Sequence, residues 1–173
     1  EIARRAGREI VIKMIADTNL KRARSLADAN VIVTSDGHEI TRNPEIDIVV
    51  ELIGGQTIAK ELILEAIANG KHVVTANKAL LANHGTEIFA AASAKGVIVA
   101  FEAAVAGGIP IIKALREGLT ANRITWIAGI INGTSNFILS EMRDKGLPFE
   151  TVLAQAQKLG YAEADPTYDI EGI

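Results

Sequence analysis

Apolar positions along this chain alternate between two spacings, one of strands and one of helices. Residues 9–16 (EIVIKMIA) are β-branched and half-alternating, which predicts a strand. A short polar helix or turn over 20–30 and a short strand over 31–33 (VIV) follow. Residues 46–53 (IDIVVELI) make a nearly continuous apolar run, the kind buried on both faces of a parallel sheet, and Gly54-Gly55 ends it. Over 57–69, Ile58, Leu62, Ile63 and Ala66 form a helical stripe that Gly70 stops. A strand over 71–75 (KHVVT), an alanine-rich helix over 77–95 closed by Gly96, and a strand over 97–101 come next. A helix over 108–118 tolerates Pro110 in its first turn. This βαβαβ order predicts an α/β fold: a doubly wound parallel sheet with helices on both faces and right-handed crossovers. Such sheets receive ligands at the carboxyl ends of their strands, here Gly54-Gly55, residues 75–78 and residues 102–108.

Beyond Gly118 the pattern changes. Residues 123–131 (RITWIAGII) predict a longer strand that carries the single tryptophan, and helices follow over 135–145 and 149–158. The change of character places a soft boundary near 113–120, dividing the chain into residues 1–115 and 116–173. There is no repeat, low-complexity tract or flexible linker, so the two parts are expected to pack closely.

Composition narrows the possible functions. At 173 residues, 49% apolar and 23% charged, the chain can bury a real core. A net charge of −3 gives no electrostatic reason to bind nucleic acid or an anionic membrane. No apolar run approaches the roughly 18 residues of a membrane span, and no signal-peptide pattern opens the sequence, so a cytoplasmic location is the default. The absence of cysteine excludes disulfides, thiolate metal sites and thiol catalysis.

The candidate chemistry lies at the expected ligand edge and in an acidic loop. Lys78 follows a strand and starts a helix, an end of the helix dipole where a cation is disfavoured unless it has work to do. Thr75 and Asn77 either touch a ligand or cap that helix. Asn132-Gly133 is a turn dipeptide, and Thr134 or Ser135 can cap the helix that follows. Gly160 to Thr167 (GYAEADPT) is either a solvated acidic loop or a site for a small cationic substrate, with Glu163, Asp165 and Asp169 as its carboxylates. No G-x-G-x-x-G phosphate loop is present; residues 1–8 read instead as the end of a helix entering a second strand. Asp17 would then stand where such folds contact an adenosine ribose, with Lys21 or Arg22 near a 2′-phosphate, or Asp17 and Asn19 simply form a polar turn. His38, His72 and His84 show no ligand spacing and receive no role.

Four segments in order resemble homoserine dehydrogenase: residues 47–55 (DIVVELIGG), 72–80 (HVVTANKAL), 101–112 (FEAAVAGGIPII), and the pair NGTSNF and GYAEADPT. The resemblance covers essentially the whole chain. It implies a partial Rossmann-like NAD(P)-binding domain running into the start of an α+β catalytic and oligomerisation domain. The implied reaction is NAD(P)-dependent interconversion of L-homoserine and L-aspartate 4-semialdehyde, a step toward threonine and methionine. Carried over by position, Lys78 is a catalytic and cofactor-contacting residue, and Ile53, Gly54, Thr75 and Gly160 touch the cofactor. Glu163 binds the substrate amino group and Asp169 lines the same pocket, while backbone oxygens of Glu102, Val105, Gly107 and Ile109 hold a monovalent cation such as sodium. The implied partners are a small-molecule substrate and further copies of the full-length protein, with no nucleic acid and no membrane.

The resemblance also implies an incomplete copy. The strand and phosphate loop would precede Glu1, and an Asp-x-x-x-Lys segment bearing the proton donor would follow Ile173, so this chain alone is expected to have negligible turnover. Two other readings remain at this level. One is a different NAD(P)-dependent amino-acid dehydrogenase, with little reason to carry GYAEADPT. The other is a non-catalytic nucleotide-binding or interaction remnant, which would leave residues 10–15 as an exposed apolar edge.

Overall fold

The computed structural model describes residues 2–162 and 166–171. They fall into two compact units, Glu1–Thr120 and Ala121–Ile173.

The first unit is a mixed α/β fold with parallel sheets, of Rossmann-like type. After a short helix α1 (Ile2–Ala6), β1 (Met14–Ala16), α2 (Leu20–Leu26) and β2 (Ile32–Thr34) form a βαβ unit whose strands pair in parallel, Met14 opposite Ile32. Helix α3 (Gly37–Arg42) leads to β3 (Ile48–Glu51), α4 (Thr57–Ala68), β4 (His72–Thr75), α5 (Lys78–Lys95) and β5 (Val99–Ala100). Strands β3, β4 and β5 form a second parallel sheet in that order, with Ile48 opposite His72 and Val73 opposite Val99. Its core comprises Val49, Ile63, Ile67, Val73, Leu80, Ile88 and Val99 with alanines 59, 66 and 92. The alanines of α4 and α5 let the helices approach the strands closely, while the larger aliphatics fill the space between. Lys71 is buried, and its ammonium donates to the carbonyls of Asn43 at 2.5 Å and Ile46 at 2.7 Å. That fixes the chain where it enters β3. Glu102–Ala104 forms a single 3₁₀ turn after β5.

Several expectations are corrected. The strand expected over 9–16 is regular only from Met14, and Ile10, Val11 and Ile12 are exposed. Apolar alternation gives strand propensity, but a ladder needs a neighbour; the Lys13 carbonyl still accepts from the Ile32 amide at 3.0 Å, while residues 9–12 have no strand partner among the described residues. The run over 46–53 is buried on one face only: Val49 and Glu51 point into the core, Ile48 and Val50 outward. Helix α3, opened by the side chain of Asp36 on the His38 amide, was not expected. The helix expected over 108–118 begins only after Pro110, as α6 (Ile111–Lys113), and continues as a π turn over Ala114–Gly118.

Among the described residues, the regular elements of the second unit are helices, preceded by an irregular stretch over 121–132. Helices α7 (Gly133–Lys145) and α8 (Phe149–Leu159) pack around Ile138, Val152, Ala156 and Ala162, and α9 (Thr167–Glu171) follows. Gly146 and Gly160 close α7 and α8 in the left-handed conformation at φ 63° and 77°, where glycine alone pays no steric penalty. The strand expected over 123–131 does not form; Trp126 is 77% exposed and Ile131 97%. These residues find no partner strand among the described residues, which removes the hydrogen bonds that would make them β. The cap of α7 is the side chain of Asn132, which accepts from the Ser135 amide, rather than Thr134 or Ser135.

Candidate active site

Because β3, β4 and β5 run parallel, their carboxyl ends share one edge, and a buried network organises it. Glu51 closes β3 at 3% exposure. One of its carboxylate oxygens accepts from the amides of Ile53 at 2.7 Å and Gly54 at 3.2 Å; the other accepts from the Thr75 hydroxyl at 2.6 Å. Thr75 in turn accepts from the Asn77 amide at 3.0 Å. The Asn77 side chain caps α5 by accepting from the Leu80 amide and donates to the Gly55 carbonyl at 2.7 Å. The turn after β3 is thereby tied to the start of α5, and the buried polar atoms are all partnered. Gly54 and Gly55 adopt φ 76° and 68°, and a Cβ on Gly54 would meet nothing within 4 Å. The turn needs glycine for its backbone, and its outer surface is open to a flat ligand.

Two expected residues behave differently at this edge. Lys78 is exposed in the first turn of α5, and among the described residues its ammonium has no hydrogen-bond or ion-pair partner, so it can reach outward. Thr75 is 0% exposed and its hydroxyl is fully engaged with Glu51 and Asn77. That arrangement gives its side chain a supporting role beneath the edge. Glu51 was missed as a functional position, although a lone acid inside IVVEL before two glycines is a visible signal.

The loop after β5 is fixed by another carboxylate. Glu102 accepts from the amides of Ile112 and Lys113, both at 2.8 Å, and so caps α6 from a distance. Between them Ala106, Gly107 and Gly108 are all left-handed, at φ 54°, 46° and 89°. For Ala106 that conformation costs about 1–2 kcal/mol, which the capped loop must hold. Of the four expected cation-binding carbonyls, Glu102 accepts from Val105 and Ile109 from Ile111, while those of Val105 and Gly107 accept no hydrogen bond among the described residues. A carbonyl has two lone pairs, so all four retain capacity for a hard cation. Among the described residues no cluster of three acidic or histidine side chains offers a metal site.

In the second unit, Gly133, Thr134, Phe137, Gly160 and Tyr161 line an open cleft of about 570 Å³. Phe137 and Tyr161 meet edge to face with centroids 5.1 Å apart. The first turn of α7 holds the chain on both sides of residues 163–165. Thr134 donates to the Tyr161 carbonyl at 2.6 Å, Asn132 donates to the Asp169 carboxylate at 2.7 Å, and Ser135 donates to the Asp169 carbonyl at 3.2 Å. Gly160 therefore lines a cleft, and Asp169 sits half-buried in the first turn of α9. Glu163 and Asp165 lie outside the described residues. NGTSNF and the downstream loop, separate in sequence, are in contact, a link that spacing alone could not reveal.

The remaining candidates have structural work. Asp17 follows β1, and its carboxylate accepts from the Asn19 amide at 2.7 Å, while Asn19 caps α2; a polar turn is formed, with Lys21 and Arg22 exposed beside it. His72 accepts from the Ile98 amide at 3.0 Å. His38, given no role from sequence, pairs with Glu65 at 2.7 Å across α3 and α4, and Thr41 and Arg42 bond the same carboxylate. The Glu65 hydrogen bond raises the His38 pKa above its usual 6.5. Glu65 itself is pushed down to about 2, by the Thr41 hydroxyl first and then by His38 and Arg42. No helix among the described residues is long and apolar enough to cross a membrane.

Known proteins give a consistent picture. Residues 1–102 match the family model of the homoserine dehydrogenase NAD binding domain, and residues 110–173 match that of homoserine dehydrogenase. The homoserine dehydrogenase of Pseudomonas aeruginosa is 68% identical over 100% of this chain, which spans 39% of that relative's length. A crystal structure of a homoserine dehydrogenase from Thiobacillus denitrificans superposes with a TM-score of 0.89 at 70% identity, covering 99% of this chain and 39% of its own. A hyperthermophilic archaeal homoserine dehydrogenase in complex with NADPH superposes with a TM-score of 0.72 at 28% identity, covering 88% of this chain and 49% of its own.

Proposed function

The chain belongs to the homoserine dehydrogenase family, and on that premise we propose that it forms the cofactor bed and part of the substrate pocket of an NAD(P)-dependent enzyme interconverting L-homoserine and L-aspartate 4-semialdehyde. The observation that carries this is the sheet edge, where Lys78, exposed and without a partner among the described residues, starts the helix after β4, and the turn after β3 has an open glycine surface at Gly54. A bound nicotinamide supplies the hydride acceptor or donor. Ile53 and Gly54 present backbone to its ring, Gly160 lines a cleft in the second unit, and Lys78 offers a cation to cofactor phosphate or substrate oxygen. Thr75 serves the site through Glu51 and Asn77 rather than by contact.

Glu163 is assigned to the ammonium of homoserine by its position in GYAEADPT, and Asp169 to the same pocket. The carbonyls of Glu102, Val105, Gly107 and Ile109 suit a sodium-like ion that would hold the glycine turn beside the edge. The proposed functional boundary lies at residues 115–116, a few residues before the division between the compact units at Thr120 and Ala121; the assembly is a homo-oligomer, and the enzyme works in the cytoplasm on the way to threonine and methionine.

The test is direct. The complete gene product is assayed for homoserine oxidation with NAD⁺ and with NADP⁺, following the reduced nicotinamide, with Glu163→Gln alongside. Oxidation of homoserine, weakened in Glu163→Gln mainly through KM for homoserine, is the expected result. Cofactor binding without turnover of homoserine would sink the enzyme reading and leave a nucleotide-binding module.

A further inference from the structure

We propose that Asn132 is a positioning residue that aims the Asp169 carboxylate, a role resting on the assignment of Asp169 to the substrate pocket. Asn132 uses both ends of its amide. The carbonyl accepts from the Ser135 amide at 2.9 Å, and the NH₂ group donates to an Asp169 carboxylate oxygen at 2.7 Å. That leaves only one orientation for the amide, because a flip would face donor to donor and carboxylate to carbonyl.

Capping alone does not specify asparagine. Aspartate and serine cap about as well, accepting from the same amide. Only a group that accepts and donates at once caps α7 and also holds Asp169. The Ser135 hydroxyl, donating to the Asp169 carbonyl at 3.2 Å, anchors the backbone of that residue from the same helical turn. With one oxygen engaged by Asn132 and its backbone pinned, Asp169 keeps a second oxygen with a fixed direction. A carboxylate so oriented gives an ammonium a charge-assisted hydrogen bond without first losing rotamer freedom. The turn NGT is thus the device that places one of the substrate carboxylates.

Chemistry separates the two roles of Asn132. Asn132→Ser keeps a cap but cannot reach Asp169; Asn132→Asp keeps a cap and sets like charges face to face. In the complete gene product, with homoserine and NAD(P)⁺ as probes, Asn132→Ser is expected to raise KM for homoserine about tenfold, leaving KM for the cofactor and the melting temperature near wild type. Asn132→Asp is expected to raise it further. The double variant Asn132→Asp with Asp169→Asn restores the hydrogen bond with donor and acceptor exchanged; it is expected to regain melting temperature but not KM, since the charge at 169 is gone. Unchanged KM in both single variants overturns the proposal. So does equal loss toward homoserine and cofactor, or recovery of KM by the exchange, since either marks a purely structural clasp. A wild-type protein without homoserine turnover overturns the function itself and this role with it.

Discussion

The sheet edge and the first turn of α7 use the same residue types for opposite purposes. At the edge, Thr75 lies at 0% exposure, and its hydroxyl bridges Glu51 and Asn77 out of reach of solvent. At α7, Thr134 makes one exposed hydrogen bond, to the Tyr161 carbonyl. The asparagines divide likewise: Asn77 is buried and ties α5 to the Gly55 carbonyl, whereas Asn132 is exposed and holds a carboxylate on α9. A cofactor bed made of backbone must be fixed from beneath, where breaking a bond strands a desolvated group. A pocket made of side chains can be held from the surface, where water replaces a lost partner.

The comparison breaks most visibly at Thr75. Thr75→Val keeps the shape but leaves the Glu51 oxygen and the Asn77 amide without their shared partner. The expected loss is roughly 3 kcal/mol in the stability of the first unit, read by urea unfolding. Retention of wild-type stability would mean that the edge is not held by this network.

Lys78 probes the outer side of the same edge. With an exposed ammonium and no described partner, Lys78→Met is expected to leave the melting temperature unchanged. It should lower kcat/KM for homoserine in the complete gene product by about 100-fold, on the scale of removing one electrostatic contact from a transition state. A stable, fully active variant would reduce Lys78 to a solvated helix-terminal residue.

Thr134→Val, the counterpart of Thr75→Val, is expected to cost at most about 1 kcal/mol, because the Tyr161 carbonyl can turn to water. Equal losses from the two threonine substitutions in unfolding experiments would erase the distinction between buried and surface support.

Legibility in the sequence follows the same division. The alternation of strands and helices from Ile46 to Ala100 was readable, because those segments pair with one another inside the described chain. IDIVVELI and RITWIAGII looked equally like strands, yet only the first has a parallel neighbour, and propensity cannot report whether a partner exists. The topological rule for parallel sheets directed attention to single residues at strand ends and helix starts, Gly54 and Lys78 among them, as candidate ligand contacts. Contacts that join distant segments were not: Glu51 to Thr75, Glu102 to the start of α6, and Asn132 to Asp169 leave no periodic trace. His38 was passed over for the same reason, since Glu65 lies 27 positions away.

That last cluster yields the smallest effect, a pH dependence confined to the first unit. The pKa of His38 is raised in the folded protein, so its contribution is complete below the unfolded value of 6.5 and disappears as pH rises through the folded value. Glu65 is depressed from 4.5 to about 2, so its contribution is present above 4.5 and is lost as pH falls toward 2. Together they give a shallow optimum between those limits. His38→Gln should flatten the alkaline limb and, because the His38 hydrogen bond is one of the causes holding Glu65 down, soften the acid limb as well. Glu65→Gln should flatten both, because the hydrogen bond from Glu65 is the main cause of the His38 shift. Unfolding midpoints across this pH range decide it: if Glu65→Gln alters the acid limb alone, His38 draws its shift from elsewhere, with Asp36 and the exposed Glu61 at 3.6 Å as the other carboxylates near it.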